Sequence, residues 1–102
     1  MSEAFLTGSY AYGTPTDVSD IDIVLYLSNE QLSNFEKVFP VTKINDGRYM
    51  SRAGILNFII CLDHRDYNSW KTVTDSLISQ KPVTRKYAIE NFNKAGLTGY
   101  DR

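Results

Sequence analysis

Hydrophobic and polar positions follow a period that changes along this chain, and each change marks an element. Ala4 to Thr7 is a short apolar piece of strand length, ended by Gly8-Ser9. A helix start follows at Ser9-Tyr10-Ala11-Tyr12, and the stretch from Tyr12 to Ser19, with Gly13, Thr14, Pro15, Thr16 and Asp17, reads as a loop. Asp20 to Leu27 is rich in β-branched and aromatic types that suit a pleated, half-buried surface, which predicts a central strand. Ser28, with Gln31 three residues later, predicts a capping box: the hydroxyl accepts from the third helical amide while the glutamine side chain reaches back to accept from the serine's own amide. Leu32, Phe35 and Phe39 then share one helical face until Pro40 stops the helix.

The second half reads in the same way. Val41 to Ile44 and Arg48 to Ser51 flank Asn45-Asp46-Gly47, and the Asp-Gly step predicts an antiparallel hairpin. Gly54 opens Ile55 to Leu62, a near-continuous apolar run of strand length. Asp63 and Asp66 are both suited to cap a helix running to about Gln80, with Tyr67, Trp70, Val73, Leu77 and Ile78 on its buried face. Thr84 caps a last helix, Arg85 to Ala95, striped by Ala88, Phe92 and Ala95 and ended by Gly96; Leu97 to Arg102 reads as a tail. Strands interleaved with helices predict an α/β (α+β) fold, a mixed β-sheet flanked by helices, in one domain over residues 1–102.

Composition narrows the function classes. With 11 Lys and Arg against 12 Asp and Glu, the net charge of −1 argues against a protein that coats nucleic acid through a basic surface. A single cysteine, Cys61, rules out an internal disulfide framework; it sits in an apolar run and reads as a small buried hydrophobe. No apolar stretch reaches the roughly 18 residues of a membrane span, and MSEAFLTGSY lacks the basic start and apolar run of a secretion signal. The expected setting is cytoplasmic, with no membrane partner.

The chemistry lies in Asp20 and Asp22. Side chains alternate along a strand, so the two carboxylates share one face while Ile21, Ile23 and Leu25 take the other, which is expected to be the core side. Two like charges a few ångströms apart need solvent or a cation, and hard oxygen ligands suit Mg²⁺, which keeps several waters and shares substrate phosphates. Upstream, Gly8 lets backbone approach an anion closely, and Ser9 with the first amides of the following turn can donate to it. Ten residues separate Ser9 from Asp20, enough for a helical turn and a loop leading back to a neighbouring strand.

Gly8-Ser9-Tyr10-Ala11-Tyr12-Gly13 followed by Ser19-Asp20-Ile21-Asp22-Ile23 resembles the signature of the DNA polymerase beta-like nucleotidyltransferase superfamily, and within it the minimal nucleotidyltransferases. Their motif is Gly-Ser, ten residues, Asp-x-Asp, and it is present here without a gap over residues 5–27. The resemblance implies an NTP, ATP first among them, held by Gly8 and Ser9, with Asp20 and Asp22 as catalytic carboxylates bridging Mg²⁺, two ions in an active member. It implies transfer of NMP to a hydroxyl. Related minimal members act as antitoxins that attach AMP to a partner toxin, so a protein acceptor such as a toxin is the first expectation, with nucleic acid as another.

Active members carry a third carboxylate on a later strand, and the matching stretch Leu56-Asn57-Phe58-Ile59 has Asn57 there. Alternation is expected to turn Leu56, Phe58 and Ile60 inward and Asn57 to the side of the aspartates. An amide brings no charge and takes no proton, so a catalytically degenerate nucleotide-binding or partner-binding module stands beside the enzyme. Asp63 falls on the same side but about 20 Å along the strand, and Asp17 and Asp46 read as turn residues. Lys43, Arg48 and Arg52 either face a triphosphate or are solvated surface charge, the latter being favoured. His64 reads as a helix-start surface residue and Tyr67 and Trp70 as core; Tyr10 and Tyr12 flank the cradle, where stacking on a base and ordinary packing are equally open.

Overall fold

A computed structural model describes residues 3–97. Among them β1 (Glu3–Thr7), α1 (Ser9–Tyr12), β2 (Ile21–Tyr26), α2 (Asn29–Glu36), β3 (Thr42–Asn45), β4 (Arg48–Ala53), β5 (Leu56–Cys61), α3 (His64–Ser79) and α4 (Arg85–Lys94) follow in chain order. The strands form one mixed sheet in the order β1-β2-β5-β4-β3. β2 and β5 run parallel, and every other neighbouring pair is antiparallel. The parallel pair needs a crossover, which α2 and the β3–β4 hairpin supply.

The expected punctuation is present. Ser28 and Gln31 form a reciprocal capping box at α2. Asp63, rather than Asp66, caps α3 by accepting from the Arg65 amide at 2.9 Å, and that hydrogen bond holds its carboxyl below the usual range. Thr84 caps α4. α2 ends at Glu36, short of Phe39, which turns back so that Phe35 and Phe39 both pack on Phe58 of β5.

Two expectations are corrected. The side of Ile21, Ile23 and Leu25 is not the main core: these residues are half-buried, whereas Val24, on the face of Asp22, is fully buried. A central strand with a parallel neighbour is covered on both sides. Here α2 brings Leu32 and Phe35 to one face, and Tyr12, Tyr67, Trp70, Leu77, Ala88 and Phe92 from α1, α3 and α4 pack on the other with Val24, Ile59 and Cys61. Leu97 is not tail either. Its amide bonds to the Phe92 carbonyl and that of Gly96 to Asn93, a helix-ending pair of bonds that turns Leu97 into the core. The remainder of the expected tail, 98–102, lies outside the described residues. No helix among the described residues is long and apolar enough to cross a membrane.

Candidate functional site

Pairing register builds the site. Thr7 of β1 pairs with Asp22 of β2, Asp22 with Asn57 of β5, and Asn57 with Arg52 of β4. Directly paired residues project to the same face, so these four side chains form a row across the sheet. Two residues further in, the corresponding row is Phe5, Val24, Ile59 and Met50. The face therefore passes from polar end to apolar core in a single step of the pleat.

The polar row is internally bonded. Asn57 Nδ2 donates to Asp22 Oδ1 at 3.1 Å, and Arg52 Nη1 donates to Asp20 Oδ2 at 2.8 Å. Thr7, fully buried at the end of the row, exchanges a 2.9 Å hydroxyl hydrogen bond with Thr74 of α3. Asp20 lies just ahead of β2, and the next amide, that of Ile21, is anchored by a 2.7 Å bond to the Ile55 carbonyl in the turn between β4 and β5.

The glycine-serine elbow meets the acidic pair. Gly8 has φ 76° and ψ −164°, a region essentially reserved for glycine, and a Cβ there would collide with the Asp22 carboxylate. The backbone can thus lie directly against Asp22. The one-turn helix α1 bonds the Ala11 and Tyr12 amides back to the Gly8 carbonyl, and Gly8 carries no side-chain cap, so the Ser9 and Tyr10 amides open the turn. Ser9, Asp20, Asp22, Arg52 and Asn57 line a cleft of about 390 Å³, within the size range of small-ligand sites.

The cleft has a wall that sequence reasoning missed. Thr84, Arg85 and Ala88, at the start of α4, line it together with Val83. Val83 is tied there by its amide, which donates to the Tyr12 carbonyl at 2.9 Å. The loop from Thr14 to Ser19 closes another side, held by the Thr16 amide on Ser19 Oγ at 2.9 Å.

The other sequence candidates go elsewhere. Arg48, read as surface charge, is instead buried, in a two-pronged pair with Asp66 at 2.6 and 3.0 Å. It shares the parity of Arg52 but stands four residues away, at the opposite end of the sheet face. Lys43 pairs with Asp46 on the exposed hairpin at 3.2 Å. His64 starts α3 and packs its ring on Tyr26. Tyr12 is buried and Tyr10 exposed, and Cys61 is a buried free thiol.

As oxygen donors, Asp20 and Asp22 suit one hard divalent cation that shares its shell with waters and phosphates. Among the described residues no group of three or more Asp, Glu, His or Cys side chains is placed to hold a metal, and the position paired with Asp22 on β5 is the neutral Asn57.

Searches of curated proteins and of solved structures find no match to this chain. The family model described as a nucleotidyltransferase domain matches residues 2–83, which contain β1 to α3 and both the elbow and the acidic pair. With four-fifths of its length matched, from the strand ahead of Gly8-Ser9 to the segment ahead of α4, the chain belongs to the nucleotidyltransferase domain family.

Proposed function

We propose that the protein transfers NMP from an NTP to a hydroxyl acceptor in a Mg²⁺-dependent reaction. The observation that carries this reading is the contact of Gly8 backbone with the Asp22 carboxylate, which brings an anion-binding elbow and an acidic pair into one cleft. Ser9 Oγ and the amides opening α1 donate to phosphate oxygens, and Asp20 and Asp22 hold the divalent ion. Bound Mg²⁺ supplies neutralisation of charge on the attacking and leaving oxygens. Otherwise the chain's task is positioning, to which the wall formed by Thr84, Arg85 and Ala88 contributes by closing the cleft.

ATP is the first nucleotide to test, and the first acceptor is a hydroxyl on a partner protein such as a toxin, with nucleic acid second. A reducing cytoplasmic setting suits the free thiol of Cys61. A second reading, favoured by Asn57 beside Asp22, is a module that binds nucleotide without turning it over.

Calorimetric titration of ATP with and without Mg²⁺ tests the site. A metal-dependent heat that is lost in Asp20→Asn and in Asp22→Asn supports it, and full affinity in either variant overturns it. Transfer of label from α-labelled ATP into lysate protein, by the natural chain and by Asn57→Asp, separates the readings. Label moved by the natural chain supports the enzyme, and label moved only by Asn57→Asp establishes the binding module.

A further inference from the structure

Asn57 removes a negative charge from the end of the sheet, and the residue paired with it across β4 and β5 adds a positive one. Arg52 stands opposite Asn57, in the same row as Asp22, and its guanidinium donates to Asp20 at 2.8 Å. The tight Gly54-Ile55 turn pairs Ala53 with Leu56 and so sets the Arg52–Asn57 pair one residue in from the strand ends. We propose that Arg52 serves as the site's second cation, so that the nucleotide is bound with one divalent ion and one guanidinium instead of two divalent ions. The inference rests on the nucleotidyl-transfer reading of the cleft.

Charge and geometry both favour it. Two carboxylates, one guanidinium and one divalent ion carry the same net charge, plus one, as three carboxylates and two divalent ions. One oxygen of each carboxylate accepts from a nitrogen donor of this row: Asp22 from the Asn57 amide and Asp20 from Arg52. A guanidinium keeps its charge at every working pH and presents a planar fork that fits carboxylate on one edge and phosphate on another. The Arg52 side chain is 56% exposed, so it is joined to Asp20 yet open to the cleft it lines. A second divalent ion at the usual separation of about 3.5–4 Å from the first would have to share this ground with a fixed positive charge.

The probe is Mn²⁺ with α,β-methylene-ATP, whose α–β bridge cannot be cleaved in the transfer, and the readout is the electron paramagnetic resonance spectrum and the Mn²⁺ count per chain. Isolated Mn²⁺, one per bound nucleotide, is expected for the natural chain and for Arg52→Lys, which keeps the charge. Asn57→Asp with Arg52 kept is expected to stay at one isolated ion, and only the double variant Arg52→Gln/Asn57→Asp to give two ions with the spectrum of a spin-coupled pair; a coupled pair in Asn57→Asp alone overturns the inference. A coupled pair in the natural chain overturns the inference while leaving nucleotidyl transfer standing, as does a single ion in a folded double variant. Absence of any metal-dependent binding of the analogue overturns both. Should the double variant fail a circular dichroism test of folding, Asn57→Asp decides alone: isolated ions there support the inference and a coupled pair refutes it.

Discussion

Gly8→Ala is expected to be among the most damaging single-methyl additions in the protein, and the reason separates into two parts. The first is backbone: φ 76° with ψ −164° is a conformation that costs a residue with a Cβ roughly 1–3 kcal/mol. The second is space: the new methyl would overlap the Asp22 carboxylate oxygen and stand 2.9 Å from Cγ and 3.0 Å from Cβ of the same residue. Overpacking of this kind costs about 1–3 kcal/mol more. Together they reach about 2–6 kcal/mol, a large part of the roughly 5–15 kcal/mol that holds a domain folded. Gly47→Ala is the control, since Gly47 also has positive φ, 83°, but no atom within 4 Å of a Cβ, so only strain of about 1–2 kcal/mol applies. Urea unfolding, followed by fluorescence of the fully buried Trp70, measures each loss from the midpoint at constant slope. In an Asp22→Ala background, which removes the carboxylate but keeps the Cβ at 3.0 Å, the Gly8→Ala cost should shrink, leaving a coupling of about 1–3 kcal/mol between the two positions. A Gly8→Ala loss no larger than that of Gly47→Ala, or one unchanged in the Asp22→Ala background, refutes the convergence of elbow and acid.

Two further tests bear on the buried side of the same sheet face. Thr7 and Thr74 satisfy one another's hydroxyls away from water, so Thr7→Val or Thr74→Val should each cost about 1–3 kcal/mol in urea unfolding, and the double variant less than the sum; strict additivity would contradict a shared bond. Burial, and after it the nearby Asp66 carboxylate, pushes the Cys61 thiol well above its usual 9.0, so a disulfide reagent at pH 8 should label the native chain only as fast as it unfolds. Because the raised value belongs to the folded state, this thiol's contribution is intact below 9.0 and is lost as pH rises above it, which should make stability decline less steeply in alkali for Cys61→Ala.

What the sequence discloses here, and what it withholds, follows from the range of the interactions involved. The capping box of Ser28 and Gln31, the Asp46-Gly47 hairpin and the stop at Gly96 act within a few residues, and each is where local chemistry predicts. Alternation correctly put Asn57 on the side of Asp22, since parity is a property of each strand alone. Which face would be the deeper core was not local: that depends on α3 and α4 both docking on the side of Val24, with only α2 opposite. The choice among Lys43, Arg48 and Arg52 was half-local. A two-residue Gly54-Ile55 turn pairs Arg52 with Asn57, whereas Arg48, four residues earlier, is carried about 13 Å toward the opposite edge, where Asp66 waits. Counting outward from Gly54 would have singled out Arg52. No comparable count finds Arg85, because α4 reaches the cleft through the Val83 bond to Tyr12 and the burial of Phe92, two contacts between segments far apart in the chain. That wall lies beyond the residues the family model matches, apart from Val83 itself. The elbow and the acidic pair thus lie within the residues the family model matches and are marked by a local motif, whereas the α4 wall lies beyond them and is brought to the cleft by long-range contacts alone.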